Sequence, residues 1–263
     1  MSSHVITRES ILDGTLLAAV RASLGPGQRL MSDEERDADI ERMLATVPRD
    51  QPIWVFAFGS LIWNPAFEFV EQRNARIHGW RRAFCLWNKA GRGSPEFPGL
   101  MLSLESGGSC TGVAYRIAPR ATRTELDVLW RREMMSFSYR PIWARAHTAQ
   151  GPVTAIAFSR NPTHERYAPG LAHEVIVQHI AQAQGRLGRC CDYLFETVAH
   201  LRQLGIRDRE LERIARDVRA MRAKALSLES ERLVERTGDR TTNKRPVERF
   251  GYRTTNAGAP AAG

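Results

Sequence analysis

The sequence predicts an α+β fold built around a small, curled or closed β-sheet. The uninterrupted apolar segment 53–58 leads into Gly59, which is typical of a buried strand that ends in a tight turn. Several short segments of strand character follow up to about Ile117 and are separated by glycines, which favours a curled or closed sheet over a doubly wound one. Segments of helical periodicity lie on both sides of this β-rich part.

Residues 1–51 are predicted to form a helical N-terminal extension. Apolar residues recur at helical spacing over 7–24, and Gly25-Pro26-Gly27 ends that segment. The stretch 32–35, Ser-Asp-Glu-Glu, has the form of a capping box that opens a second, charged helix through Thr46. We expect this extension to pack on the outside of the fold, and we assign it no chemistry.

The β-rich part is divided at its glycines. We expect a strand, or two strands kinked at Gly79, followed by a glycine- and proline-rich loop and two shorter strands around a Gly107-Gly108 turn. The corresponding ranges are 76–87 for the first strand, 91–99 for the loop, and 100–104 and 110–117 for the shorter strands.

Helices and strands alternate in the remainder. The stretch 122–125, Thr-Arg-Thr-Glu, is predicted to be the capping box of the first helix. The predicted elements are a helix over 119–135, strands over 139–147 and 153–158, and helices over 172–184, 192–204 and 208–226. The predicted domains are the extension 1–51, a catalytic domain 52–228, and a polar tail 229–263 that we expect to be partly disordered.

The composition and charge of the chain argue against several classes of function. The chain has 263 residues, 43% of them hydrophobic, and a net charge of +9 from 38 Lys+Arg and 29 Asp+Glu, as expected for a protein with one sizeable core. The basic residues form no dense block, so we expect no nucleic-acid partner. No stretch has the length of a membrane span, no secretory signal is evident, and the four cysteines lack metal-site spacing. We therefore expect a cytoplasmic protein with no membrane partner and no metal site.

The turn after the first strand is a candidate binding element. Gly59 has no Cβ and lets the chain pass close to another group. The N–H groups of Ser60 and Leu61 could then donate to an anionic or carbonyl oxygen. The same pattern also fits an ordinary turn between two core segments. Ser60 lacks the second glycine of a nucleophile elbow, so we do not assign it the role of a hydrolase nucleophile.

Glu133 is a carboxylate at a position where the helical pattern predicts an apolar residue. Leu126, Leu129 and Trp130 define the apolar face of the 119–135 helix, and Glu133 falls in the centre of that face. Burial would raise its pKa toward the range of a general base or acid. The alternative is that Glu133 reaches an arginine or solvent near the helix end.

The neighbours of Glu133 are predicted as follows. Arg131 and Arg132 are expected to point away from it. Tyr139, on the following strand, could share the pocket as a hydroxyl donor, although the sequence alone favours a tyrosine at the rim of the core.

Several separated motifs together resemble the ChaC family of glutathione-specific γ-glutamylcyclotransferases. The resemblance covers about 54–206. Its motifs are Phe58-Gly59-Ser60-Leu61-Ile62-Trp63, Arg92-Gly93-Ser94-Pro95-Glu96-Phe97-Pro98-Gly99-Leu100, Gly112-Val113-Ala114-Tyr115-Arg116, Trp130-Arg131-Arg132-Glu133-Met134 and Cys191-Asp192-Tyr193-Leu194-Phe195.

The resemblance implies a γ-glutamylcyclotransferase-like fold, a small β-barrel flanked by helices. It implies conversion of glutathione to 5-oxoproline and cysteinylglycine, with no cofactor or metal. The family's Tyr-Gly-Ser-Leu substrate loop falls on 58–61, with Phe58 in place of tyrosine, and its catalytic glutamate falls on Glu133.

These considerations give one catalytic residue, Glu133, as general acid and base. The expected substrate-binding residues are Phe58, Gly59, Ser60, Leu61, Arg92 and Tyr139. Arg92 could attract the anionic tripeptide, although a solvated position in its loop is the safer assumption. Two alternatives stay open, namely a cyclotransferase for other γ-glutamyl compounds and a basic interaction module without turnover. The sequence makes no prediction of oligomeric state.

Overall fold

The structure, a computed structural model, describes residues 6–25, 27–48 and 51–238, with side chains through residue 232. The chain forms two compact units, Met1–Arg222 and Ala223–Gly263. The described part of the second unit is helical. Within the described ranges, no helix is both long enough and apolar enough to cross a bilayer.

The first unit contains a closed β-barrel. Its strands follow the order β1-β3-β2-β4-β5, and parallel pairing of β1 with β5 closes it. The small closed sheet expected from the glycine-separated strands is therefore confirmed. The strands are β1 Trp54–Ala57, β2 Glu71–Asn88, β3 Gly99–Arg116, β4 Tyr139–Thr148 and β5 Gly151–Arg160.

The predicted turn at Gly107-Gly108 is wrong. Both glycines lie inside the continuous strand β3, with φ of 92° and 74°. The ladder with β2 shifts register there, opposite Gly79, which has φ of 81°. Residues without a Cβ adopt positive φ at little cost, so these three glycines form a bulge that bends the hairpin without breaking it.

The N-terminal extension begins with short helices. The single helix predicted over 7–24 is two helices, α1 Arg8–Leu12 and α2 Thr15–Arg21. They are separated because Gly14 has φ of 81° and the Asp13 carboxylate accepts the N–H of Thr15 at 2.8 Å.

The third helix, α3 Asp33–Leu44, begins with the predicted capping box. The Ser32 hydroxyl accepts the N–H of Glu35 at 3.2 Å, and the Glu35 carboxylate accepts the N–H of Ser32 at 2.9 Å. That prediction is confirmed.

The remaining helices are α4 Thr122–Glu133, preceded by the 3₁₀ helix Pro119–Ala121, then α5 His173–Gln182, α6 Cys190–Gln203 and α7 Arg209–Gly238. A two-residue hairpin, β6 Gln184–Gly185 and β7 Gly188–Arg189, joins α5 to α6. The helix predicted to end near 226 continues to Gly238, through the start of the predicted polar tail. The rest of that tail, 239–263, lies outside the described residues.

The predicted capping box at 122–125 is wrong. The N-cap of α4 is Ala121, which makes no side-chain cap. Glu125 is instead buried, at 1% exposure, and its two oxygens accept from Arg8 at 2.5 and 2.8 Å. A long-range guanidinium partner outcompetes the local backbone donor because it satisfies both carboxylate oxygens at once.

The N-terminal helices pack against α4. Besides the Arg8–Glu125 pair, the Trp130 indole N–H donates to Asp39 of α3 at 2.7 Å. Ile11 and Ile40 are buried in the same core. The extension therefore belongs to the compact unit that carries the barrel.

Candidate active site

The turn after β1 approaches α6 closely. β1 is buried along its whole length and ends at Ala57, and Phe58-Gly59 joins it to a 3₁₀ helix, Ser60–Ile62. A Cβ built on Gly59 would lie 2.9 Å from the Tyr193 hydroxyl oxygen, closer than real Cβ contacts allow. The predicted close approach at this glycine is thus to Tyr193.

Two backbone donors of this turn are available. Ile62 and Trp63 donate their N–H groups to the carbonyl oxygens of Gly59 and Ser60. Within the described part of the chain, the N–H groups of Ser60 and Leu61 have no acceptor. Two adjacent N–H groups at the start of a helical turn can bind a carboxylate or a developing oxyanion.

The side chains of the turn are packed into the core. Phe58 and Leu61 are 6% and 5% exposed. The Phe58 carbonyl oxygen accepts from Nε of the buried Arg82, which also pairs with Asp208. Arg82 therefore fixes the peptide that precedes Gly59.

Glu133 ends α4 at the predicted position. The apolar face that leads to it is fully buried at Leu126, Leu129 and Trp130, while the Glu133 side chain keeps 14% exposure. Burial raises the pKa of Glu133, and the positive charge of Arg132 opposes the rise. The direction agrees with the helical-wheel expectation.

The expectation that Arg132 points away from Glu133 is wrong. Its Nε lies 3.0 Å from Oε1 of Glu133, its Nη2 donates to the Ser60 hydroxyl at 3.1 Å, and its Nη1 donates to the carbonyl oxygen of Asn64. The buried face of α4 also includes Val128, which precedes Arg132 by one helical turn, so the face is wide enough to take in this arginine. Arg131 does point away, to Asp127 at 2.7 Å.

Two tyrosines complete the group, which we call the Glu133 cluster: Glu133, Arg132, Tyr139 and Tyr193. The Tyr139 hydroxyl donates to the Leu102 carbonyl oxygen at 2.9 Å. Burial raises the pKa of both tyrosines, and the negative charge of Glu133 raises each further. Both hydroxyls therefore stay protonated near neutral pH.

Tyr193 is the functional residue that the residue-level reasoning missed. It lies on α6 among buried Cys190, Leu194 and Thr197. The sequence contained one indication of it: the tyrosine hydroxyl falls on the apolar face of a helix, where a buried polar group needs a hydrogen-bond partner.

Arg92 lies apart from these contacts. It is half-buried in the loop between β2 and β3, and its Nη1 donates to the Arg189 carbonyl oxygen at 3.1 Å, beside the start of α6. Its backbone N–H donates to Asn88 at 3.0 Å.

A groove of about 500 Å³ opens between α3 and β4. Met134 and Tyr139 contribute to its wall, but Glu133, Gly59 and Tyr193 do not. We place the candidate site at the Glu133 cluster, because the carboxylate, the hydroxyls and the available N–H donors meet there.

Comparison with known proteins gives consistent matches. A family model described as ChaC-like protein matches residues 53–221. A glutathione-specific γ-glutamylcyclotransferase of Escherichia coli K12 is 41% identical over 208 residues, covering 78% of this chain and 88% of the relative. The γ-glutamylcyclotransferase 2-3 of Arabidopsis thaliana is 32% identical over 177 residues, covering 64% of this chain and 88% of the relative.

A solved structure shares the fold. The yeast γ-glutamyl cyclotransferase specific to glutathione superposes with a TM-score of 0.60 at 20% identity, covering 66% of this chain and 98% of the yeast chain. This likeness concerns the fold alone, and it confirms the predicted barrel flanked by helices.

Proposed function

The chain belongs to the ChaC-like protein family, and on that premise we propose that it is a glutathione-specific γ-glutamylcyclotransferase. The proposed reaction closes the γ-glutamyl group of glutathione into 5-oxoproline and releases cysteinylglycine. One observation carries the proposal: the buried carboxylate Glu133 is joined through Arg132 to Ser60 of the glycine turn.

The turn binds the γ-glutamyl group in this proposal. The substrate must fold back so that its α-amine meets its own side-chain amide, and holding that conformer supplies much of the rate because the step is intramolecular. The available N–H groups of Ser60 and Leu61 support a role in holding either the α-carboxylate or the developing oxyanion.

Glu133 moves the proton. It removes a proton from the α-ammonium group, and the free amine attacks the γ-carbonyl carbon to form the new C–N bond. Glu133 then gives this proton to the cysteinyl nitrogen as the old C–N bond breaks, because an unprotonated amide nitrogen is a poor leaving group. The ring nitrogen gives up its second proton to the released amine, which leaves as an ammonium group. Its raised pKa suits both transfers.

The tyrosines orient the substrate in this mechanism. The Tyr139 proton is committed to Leu102, so the Tyr139 oxygen can accept a hydrogen bond from the substrate ammonium group. The Tyr193 hydroxyl lies against Gly59 and can contact whatever the turn binds.

We propose that Phe58 acts through its backbone. Its side chain is buried in the core and its carbonyl is held by Arg82, so the missing tyrosine hydroxyl costs little if the turn binds through N–H groups. Phe58→Tyr should leave the KM for glutathione nearly unchanged. A large fall in KM would assign that hydroxyl to substrate binding.

We propose that the reaction needs no cofactor or metal and takes place in the cytoplasm. It exchanges one C–N bond for another and moves two protons from the α-ammonium nitrogen to the cysteinyl nitrogen, without electron transfer. The four cysteines are free and buried, which fits a reducing compartment. The proposed partner is a small molecule, glutathione, and the function requires neither nucleic acid nor membrane.

The purified chain tests the proposal. It should release 5-oxoproline from glutathione and do so far more slowly from γ-glutamyl-alanine, measured by chromatography of both products. Equal efficiency on the two would favour a general γ-glutamyl cyclotransferase. No release from either, together with salt-dependent binding of nucleic acid, would favour the interaction module and overturn the proposal.

A further inference from the structure

Arg166 is a half-buried cation beside the proposed site that the mechanism does not use. It lies in the segment between β5 and α5. Its Nε donates to the Trp87 carbonyl oxygen at 2.5 Å, and its Nη1 donates to the Ser136 hydroxyl at 3.3 Å. These two contacts fix the guanidinium group, and Nη2 has no acceptor among the residues that the structure describes.

Arg166 is half-buried and has no acidic partner among the described residues. Desolvation lowers the pKa of Arg166, yet the residue keeps partial exposure to solvent. In the part of the chain that the structure describes, no carboxylate lies within ion-pair distance of it, and the adjacent Glu165 bonds Gln28 instead.

Its second contact places Arg166 next to the Glu133 cluster. Ser136 belongs to the short segment that joins Glu133 to Tyr139, and Arg166 lies within electrostatic reach of the Tyr139 hydroxyl. Glu133, Arg132 and Arg166 together leave one positive charge in excess. Glutathione, with two carboxylates and one ammonium group, carries one negative charge.

One carboxylate of the substrate has no partner in the mechanism above. The N–H groups of the turn account for the γ-glutamyl end, whereas the glycyl carboxylate lies on the leaving group. A half-buried guanidinium group with free donors is a favourable partner for such a carboxylate.

We propose that Arg166 binds the glycyl carboxylate of glutathione and so sets the preference for the tripeptide over shorter γ-glutamyl compounds. This inference rests on the proposed function. Arg166 touches the leaving group far from the reacting amide, so it acts mainly on substrate affinity.

The test pairs a variant with a matched substrate. Glutathione and its glycinamide analogue, which lacks only the terminal charge, are assayed for 5-oxoproline release with the parent and with Arg166→Met. We expect the variant to raise the KM for glutathione about 10- to 100-fold, the effect of losing one charge-assisted hydrogen bond. Its KM for the glycinamide should equal that of the parent, because that contact is already absent.

Two further variants complete the experiment. Arg166→Lys keeps the charge without the planar fork and should give an intermediate KM. Arg140→Met removes an exposed arginine, bonded to Thr163, and should leave both KM values unchanged. Thermal unfolding of each variant confirms that it is folded.

The outcomes separate the two proposals. Equal weakening of both substrates by a folded Arg166→Met, or no weakening of either, would overturn the role of Arg166 while leaving the cyclotransferase function intact. A parent that releases no 5-oxoproline from either substrate would instead overturn the function itself.

Discussion

The two glutamates of α4, the buried Glu125 and the partly exposed Glu133, have the same side chain and opposite environments. Glu125 accepts two hydrogen bonds from Arg8 and a third from the Glu68 N–H at 2.8 Å. Among the residues that the structure describes, Glu133 has one partner at hydrogen-bond distance, Arg132, at 3.0 Å. A buried carboxylate whose acceptor sites are filled holds elements together, whereas one with free acceptor sites can still take a proton.

The largest effect is expected from removing the basicity of Glu133. Glu133→Gln keeps the shape, and we expect the rate of 5-oxoproline release to fall by about 10²–10⁴, the usual contribution of a positioned general acid or base. Steady-state kinetics with glutathione measures the change, and circular dichroism checks the fold. A folded variant of near-parental rate would exclude Glu133 as the base.

We also expect the free side of Glu133 to face the glycine turn. Gly59→Val would place methyl groups where even a Cβ lies 2.9 Å from the Tyr193 oxygen. We expect a KM for glutathione raised by about tenfold or more, since one lost substrate hydrogen bond has that effect. An unchanged KM in a folded variant would show that the turn does not approach substrate.

Glu125, in contrast, is expected to contribute to stability and not to catalysis. Glu125→Gln removes the charge that holds Arg8, and we expect the free energy of unfolding to fall by about 1–3 kcal/mol, because Arg8 keeps part of its exposure and the amide can still accept one hydrogen bond. Denaturant titration gives this value. The rate with glutathione should stay close to parental, and a loss as large as that of Glu133→Gln would mean that the two carboxylates share one role.

The pH dependence of the reaction tests the ionisation of Glu133. The base must be ionised, so kcat/KM should rise with pH through a pKa above that of an ordinary glutamate. Among the described residues, Arg132 lies 3.0 Å from this carboxylate and opposes the rise of its pKa. Tyr139 and Tyr193, whose pKa values are raised by burial and by the charge of Glu133, stay neutral. Arg132→Gln removes the opposing charge, so the acidic limb should move to higher pH.

Two further variants show whether a shift of the acidic limb comes from the lost charge of Arg132 or from a general loss of stability. Arg132→Lys should keep the limb near its parental position. Arg36→Gln removes another buried arginine, one paired with Asp127 of α4 and remote from the contacts of Glu133, and should lower stability without moving the limb. A limb that stays in place in Arg132→Gln would show that Arg132 does not set this pKa.

The sequence was informative where a single local pattern decides the outcome. The buried strand β1, the glycine turn and the place of Glu133 on the apolar face of α4 follow from periodicity and from the absence of a Cβ. The capping box at Ser32 follows equally, because both its donors and acceptors are local.

Prediction failed where distant groups compete with local ones. Glu125 had the spacing of a capping residue, but Arg8, far away in sequence, binds it more completely. Gly107 and Gly108 have the composition of a turn, yet pairing with the long strand β2 keeps them in a bulge. Arg132 and Tyr193 became recognisable only when α4, α6 and the turn had been brought together.

The contacts between the N-terminal helices and α4 determine how short a fragment of the chain can be while its core stays intact. The family match begins at residue 53, but Arg8 and Asp39, which satisfy Glu125 and the Trp130 indole, lie before it. A chain shortened to the matched region would retain every residue of the Glu133 cluster while stranding two polar groups in the interior, each at a cost of about 1–3 kcal/mol. The smallest fragment suitable for expression therefore starts ahead of α1.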